Sequence, residues 1–396
     1  MSTNKKIIEK PIKVGFYQFF PGGGIGRYTH ELLLRMAKIT ELHVELIASS
    51  DYHWNGTGEY AIWYGLKTLS HSIPFIRRLR FLTQQFINPH RAIQHATLNS
   101  IDVLHLANIN HLSFPFWRKE IERSNFNVVA TAHDVKRQKS IINKTWEVKQ
   151  LQNFYQFADA LFVHSQYQAE ELIEFADLEP NKIVIVPHGI YPHADISESK
   201  TSLRKKYDLP HNRQVALFFG QIRDEKNLDG LLRAYSLIEK PPHLVVAGQL
   251  GSSHKNIRYY LKLIESLGLI NNVTFLPRFI DNLEVGELFT ACDWVALPYY
   301  SSFSSQSGVL NTAIFYNRPV LASSAPVLKQ TIETVDVGTF FEGDAPSDIV
   351  QGIEKITQLI AHSHQFEFDR YQRLFSWDKN VSLTLETYKN LLLGVI

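Results

Sequence analysis

The stretch Val215-Ala-Leu-Phe-Phe-Gly220-Gln-Ile-Arg223-Asp-Glu-Lys226-Asn-Leu-Asp-Gly230 constrains this chain most. A continuous apolar run ends at a glycine, as a strand buried on both faces of a parallel sheet does. A short polar turn follows and carries two cations, Arg223 and Lys226. Leu228, Leu231, Leu232, Tyr235 and Ile238 then recur at helical spacing. Strand, glycine turn, cations and helix start together make a phosphate-binding device. Free N–H groups of the first helical turn point at the ligand, and Lys and Arg add full charge beside them. An ordinary strand–turn–helix with both cations in solvent has the same local pattern, and this stretch alone does not separate the two.

At 396 residues the chain is too long for one comfortable core, so two domains are expected. Its 41 Lys+Arg nearly balance 39 Asp+Glu, which argues against a polyanion-coating protein, and no nucleic-acid partner is expected. The single cysteine, Cys292, rules out an intrachain disulfide and a cysteine metal cluster, which fits a reducing compartment. The polar start, Met1 to Lys10, and the short apolar run Lys13 to Tyr17 do not make a secretory signal. No apolar run approaches a membrane span. A soluble or peripheral cytoplasmic protein is the expectation.

Taken in order, Lys13–Phe19 reads as a first strand. Pro21-Gly-Gly-Gly-Ile-Gly26 then turns into a helix from about Arg27 to Lys38. These glycines let a ligand approach the main chain. Arg27 at the third glycine position departs from the dinucleotide fingerprint, and a plain flexible turn is the alternative. His43–Ser49 is a second strand. In the segment 73–86, Phe75, Leu79, Leu82 and Phe86 share one helical face, flanked by Arg77, Arg78 and Arg80. That pattern suits a helix lying on an anionic membrane surface; an apolar face packed into the core is the commoner reading. Ile101–His105 is a further strand. So is the run from Asn127, with His133 and Asp134 at its carboxyl end, where parallel sheets bind ligands. Adjacent His and Asp in a strand face opposite ways, so no metal site is expected there.

Ala158–Ser165 reads as strand and N-cap, and Lys182–Ile190 as a strand ending in Pro-x-Gly. The polar run Tyr191–Lys200 has linker composition. After the cationic turn come strands near 242–248, 272–277, 293–298 and 318–323, with helices near 256–267, 283–292 and 309–316. This alternation predicts right-handed βαβ units and a parallel sheet in each half. The Gln306-Ser307-Gly308 loop opens a helix without an acidic residue, so its amides can face an anion, and Thr312 can reach a sugar hydroxyl. A Ser-rich connector that binds nothing is the alternative.

Gly220-Gln-Ile-Arg223-x-x-Lys226-Asn resembles the Gly-x-x-x-x-x-Lys loop of retaining family-four (group 1) glycosyltransferases of the GT-B type. Gly22–Gly26, His133-Asp134, Ala158-Asp-Ala to His164-Ser165, Val186-Pro-His-Gly189-Ile, Gln306-Ser-Gly308-Val to Ser323, and Phe375-Ser-Trp377 follow in the family's order, from about Lys13 to Tyr388. The resemblance implies an α/β protein with two Rossmann-like domains facing a cleft. It divides the chain into an acceptor-side domain over 1–192, a donor-nucleotide domain over 193–375, and a final helix over 376–396 that crosses back to the first.

It also implies a hexosyltransferase that moves a sugar, with retention, from a nucleotide-diphosphate donor to a saccharide or lipid-linked acceptor in cell-surface polysaccharide assembly. Arg223 and Lys226 would hold the donor diphosphate and stabilise its developing charge. His133 would contact the donor sugar near the reacting carbon. Gly23, Gly24, Gly220, Gln306, Ser307, Gly308, Val309 and Thr312 would complete the donor site, with Arg278 and Phe279 near the base. No metal or cofactor is implied, because cations and helix amides take its place. One departure stands out: the family's paired donor-loop glutamates fall here at Ser304 and Thr312. A non-catalytic sugar-nucleotide-binding subunit is therefore the main alternative. An epimerase of the same architecture is the last, since its acidic catalytic residues find no candidates.

Overall fold

The computed structural model describes residues 10–54, 58–137, 140–251, 255–303 and 305–395. The chain divides into two compact units, Met1–Gly189 with Ser376–Ile396, and Ile190–Phe375. Both are parallel α/β units of the Rossmann-like kind expected from the strand–helix alternation.

In the first unit the strands are β1 (Ile12–Tyr17), β2 (Leu42–Ser49), β3 (Ala61–Leu66), β4 (Val103–Leu106), β5 (Asn127–Thr131), β6 (Ala160–Val163) and β7 (Ile183–Ile185). They lie in the order β3-β2-β1-β4-β5-β6-β7. Every pair is parallel; Val14 of β1 stands opposite Val44 on one side and Val103 on the other. Strand β1 is almost wholly buried because helices cover both faces, which is why it reads as apolar without alternation. The order reverses between β1 and β4. Loops leaving these strands diverge there and open a crevice beyond the carboxyl ends. The C-terminal helix Trp377–Leu393 belongs to this unit and packs on the helix Gly23–Met36. Ser376 caps it, accepting from the Lys379 N–H. Tyr388 reaches a buried bond with His105 Nδ1 at 2.6 Å, and Asn380 Nδ2 donates to Tyr28 Oη and Pro187 O at 2.8 and 2.7 Å.

The second unit holds β8 (Val215–Phe219), β9 (His243–Ala247), β10 (Val273–Leu276), β11 (Trp294–Leu297), β12 (Val320–Ser323) and β13 (Gly338–Phe341), in the order β10-β9-β8-β11-β12-β13. Val215 and Leu217 enter one core with Val295 and Leu310; Ala216 and Phe218 enter another with Leu231 and Ile353. Burying such a side chain is worth about 1.5–3 kcal/mol, so both faces must be clothed by helices. The reversal falls between β8 and β11, next to the cationic turn.

Several boundaries differ from expectation. The first helix begins at Gly23 rather than Arg27, so Gly23 and Gly24 lie in its opening turn. Strand β5 ends at Thr131, which places His133 and Asp134 in the following loop, where strand alternation no longer governs them. The amphipathic segment is part of the helix Pro74–Leu98. Its proposed apolar face does not pack into the core: Phe75, Leu79 and Phe86 are 76%, 51% and 45% exposed. Ser304 lies outside the described residues, as do the first nine residues of the polar start. Among the described residues no helix is long and apolar enough to cross a membrane.

Candidate functional site

In the second unit, β8 ends at Phe219 and Gly220 follows it, with a φ of +94° that suits glycine. A side chain there would press on Lys226 Nζ at 3.0 Å and Val309 at 3.3 Å. The neighbouring Gly248 (φ +146°) lies so close that a Cβ would fall 2.0 Å from the Gly220 carbonyl oxygen. Two backbones thus converge behind the cationic turn and leave no room for side chains. The turn Asp224–Lys226 is a single 3₁₀ turn, and Asn227, left-handed at φ +52°, caps the helix Leu228–Ser236 through the Gly230 N–H at 3.1 Å.

Lys226 is 6% exposed. Its only hydrogen bond among the described residues runs to the Phe219 carbonyl at 3.4 Å, and its Nζ stands 5.5 Å from the Tyr299 ring centroid. Burial, reinforced by the charge of Arg223, pushes its pKa down to about 8. No carboxylate pairs with it among the described residues. A buried ammonium without a counter-ion is costly, and an arriving anion removes that cost. Arg223 is more open; its Nε lies 3.0 Å from Glu225 Oε1, but the alignment does not make a hydrogen bond.

The loop after β11 faces the same switch point. Ser307 caps the helix Gly308–Phe315, accepting from the Leu310 N–H at 3.3 Å, with its hydroxyl 3.4 Å from Tyr299 Oη. Gln306 Nε2 is buried without a partner. Val309 touches the Gly220 position, so the two loops meet. Thr312, at the second glutamate position, donates to the Gly308 carbonyl at 2.9 Å and stands 3.2 Å from His193 Nε2. Arg278 and Phe279 follow the edge strand β10, two strands from β8. Arg278 is held bidentately by Glu284 at 2.6 and 2.5 Å, and Phe279 is 73% exposed.

In the first unit, Gly23 (φ +78°) and Gly24 are exposed, and a Cβ at either would meet nothing within 4 Å. His133 lies in a layer of rings: the Tyr28 ring meets it edge-on at 4.8 Å, and His164 stands at 5.1 Å. Burial, joined by the neighbouring histidines, holds His133 well below its ordinary value; burial brings His164 to about 3 and His188 to about 4. All three rings are therefore neutral near pH 7, and the hydrogen bonds fix their tautomers. His164 Nδ1 lies 3.1 Å from the Val186 carbonyl, which can only accept, so that nitrogen carries the proton. His164 Nε2 is then an acceptor and takes the His133 Nδ1–H at 3.1 Å. This leaves His133 Nε2 as a bare acceptor, buried and without a partner. Gln168 fixes the loop on both sides, accepting from the His164 N–H and donating to the His133 carbonyl, each at 2.9 Å. A small cavity of about 20 Å³ lies beside His133, lined also by Asn108, Thr131 and Arg137, with room for about one water-sized group.

The structure gathers Gly220, Lys226, Ser307, Gly308, Val309 and Thr312 at one switch point. Arg278 and Phe279 stand apart from it on the edge strand. Sequence reading missed His164 as the partner of His133, along with Tyr299 and His193. His164 comes beside His133 only once strands β5 and β6 pair, while Tyr299 and His193 meet Lys226 and Thr312 within the second unit. Among the described residues no group of three or more His, Cys, Asp or Glu is arranged to hold a metal.

The architecture is thus two parallel Rossmann-like units, the second with a buried lysine at its switch point, and known proteins share its parts. Residues 22–193 match the family Glycosyltransferase Family 4, and residues 199–372 match Glycosyl transferases group 1. These two matches place a family 4 and a group 1 glycosyltransferase domain in the chain. Similar sequences include the D-inositol 3-phosphate glycosyltransferases of Stackebrandtia nassauensis, 29% identical over 50% of this chain and 46% of that protein, and of Salinispora tropica, 26% identical over 58% and 51%. The chain spans about half the length of these relatives. Among solved structures, a glycosyltransferase from Rickettsia africae ESF-5 superposes with a TM-score of 0.73 at 17% identity, covering 96% of this chain and 99% of that one. Anabaena HepE in complex with UDP gives 0.72 at 16%, covering 95% and 99%. These likenesses establish the GT-B fold.

Proposed function

We propose that this protein transfers a sugar, with retention at the anomeric carbon, from a nucleoside-diphosphate donor to a hydroxyl of a saccharide or lipid-linked acceptor in cell-surface polysaccharide assembly. The observation that carries the reading is Lys226, a buried ammonium with no counter-ion among the described residues. It holds the donor diphosphate with Arg223, the Gly220 turn and the amides that open the helix Gly308–Phe315, and stabilises the charge that grows as the glycosidic bond breaks. Two such cations supply what a metal would, so chelation with EDTA leaves turnover intact. His133 Nε2 accepts from a sugar hydroxyl, and Gly23 and Gly24 present main-chain amides. The HepE structures with UDP and UDP-glucose support a uridine nucleotide as the first donor to try.

The exposed Phe75, Leu79 and Phe86, beside Arg77, Arg78 and Arg80, support peripheral docking on the anionic inner face of a membrane. The test of transfer is an NMR assay with UDP-glucose. An α-linked product, or α-glucose released first on donor hydrolysis, supports a retaining enzyme; β-glucose released first contradicts it. One observation favours a non-catalytic donor-binding subunit instead: Thr312 stands at a glutamate position and its hydroxyl is already engaged by Gly308 and His193. Tight UDP-sugar binding with neither hydrolysis nor transfer would select that reading.

A further inference from the structure

A cavity of about 360 Å³ opens in the second unit at the amino ends of β12 and β13. Asn317 lines it just before β12, and Glu367, whose N–H donates to the Asp336 carbonyl at 2.6 Å, ties it to the start of β13. Because these strands run parallel, it lies at the opposite end of the sheet from Gly220 and Ser307. Its size is that of a site for a small molecule. The helix Gly308–Phe315 ends beside it, with Asn317 left-handed at φ +52°. The helix Phe368–Leu374 runs along it and is pinned by Tyr371, whose buried hydroxyl donates to Asn311 Oδ1 at 2.7 Å. Two kinds of side chain line the space. Phe366 and Phe368 are half-buried, packed on the two cores of this unit, with ring centroids 5.8 Å apart. Glu367 and Asp369 face Arg370 and Arg373, so the charges cancel. Arg370 Nη1 donates to Glu367 Oε2 at 2.8 Å. Among the described residues, the side chains of Asp369 and Arg373 have no hydrogen-bond or ion-pair partner.

This mixture selects by elimination. An anion placed here meets two carboxylates, and a cation meets two guanidinium groups. An apolar ligand would strip water from charged groups and return no hydrogen bonds. A sugar fits both halves of the lining. Each hydroxyl donates and accepts, so neighbouring hydroxyls satisfy a carboxylate and a guanidinium together, and the C–H face of the ring packs on a phenyl ring. We propose that this cavity is a second saccharide site, away from the cationic turn, which holds a segment of a neutral oligosaccharide with its C–H face on Phe366 or Phe368 and its hydroxyls on Asp369 and Arg373. Under the glycosyltransferase reading it keeps a growing glycan on the protein between transfers; the binding itself does not rest on that reading.

Arginine Nε spectra of the ¹⁵N-labelled full chain test this with maltotriose, cellotriose and α-1,6-mannotriose, and with inorganic phosphate, spermidine and glycylglycine as the anionic, cationic and zwitterionic controls. At least one trisaccharide shifts the Arg370 and Arg373 signals, assigned through Arg370→Lys and Arg373→Lys, with half-saturation on the order of 1–10 mM, and leaves Arg223 unmoved. Asp369→Ala with Arg373→Ala, read at Arg370, weakens that trisaccharide at least about fivefold, as expected for lost hydrogen bonds to charged groups, with the circular dichroism spectrum unchanged. No shift with any of the three sugars, a control that binds as tightly, a sugar that moves Arg223 in place of Arg370 and Arg373, or undiminished binding in the double variant overturns the proposal. Absence of transfer from UDP-glucose would instead strike the glycosyltransferase reading and leave this site standing, so the two failures are distinct.

Discussion

His133 shows how a single residue's chemistry is set by its neighbours. Its Nδ1–H is committed to His164, so its other nitrogen can only accept. This makes His164 a positioning residue with a specific signature. In His164→Ala, His133 loses its fixed tautomer, and ¹⁵N spectra of labelled histidine show a mixture in place of the Nδ1–H form. Turnover falls by about two- to tenfold while donor affinity changes little, since one misaligned hydrogen bond of about 0.5–1.5 kcal/mol acts mainly at the reacting carbon. His164→Gln, which can accept from His133 with its amide oxygen, recovers part of the activity. A single His133 tautomer in His164→Ala, or equal loss of binding and turnover, would make the pair merely structural. At this scale the sequence was only half legible. Gly220, Arg223 and Lys226 could be read because a phosphate-binding turn is local. The His133–His164 pair could not, because 31 residues separate its members. Nor could the depressed pKa of Lys226, which follows from burial under Tyr299 and the loop after β11.

At the scale of elements, the strands of the sheet interiors were legible because parallel strands buried on both faces leave unbroken apolar runs. β3 was not: it is an edge strand whose residues are mostly part-exposed, so it carries no such run. The helix Lys144–Phe157 was also missed; its start is fixed by Asn143 and Glu147 rather than by an apolar stripe. The helix Pro74–Leu98 differs again, since its pattern was plain and its environment was not. The apolar side chains that would ordinarily seek the core stand in solvent, and Phe86 meets the more exposed Phe116 edge-on at 5.2 Å. Flotation with vesicles rich in phosphatidylglycerol should carry the protein upward. Phe75→Ser with Leu79→Ser should largely abolish this, by removing about 1.5–3 kcal/mol of burial per side chain. Arg77→Gln with Arg78→Gln should weaken it by about 1 kcal/mol per charge. No co-flotation of the parent protein would dismiss the membrane surface as a partner.

For the whole molecule, the two units differ in how they are closed. The first is completed by the last helix of the chain, which supplies Tyr388 to His105 and Asn380 to Tyr28 and Pro187. Ending the chain after Phe375 leaves those buried groups unsatisfied at about 1–3 kcal/mol each. Scanning calorimetry of that truncated form should show the first unit melting well below the second, and a single unshifted transition would contradict the assignment of the helix. The second unit keeps its own cores and its cationic turn, and the account of function turns on that turn. The most direct measurement is UDP affinity by calorimetry from pH 7 to 9.5, for the parent protein and for Lys226→Ala. Lys226 must be protonated to hold a diphosphate, and its pKa in the empty protein is lowered to about 8. Affinity should therefore be greatest below pH 8 and fall as the pH rises through it. Lys226→Ala should bind more weakly by about 1.5–3 kcal/mol at pH 7 and lose that pH dependence. Equal affinity in the two proteins, or the same pH profile in both, would contradict the claim that this buried ammonium is the diphosphate's counter-ion.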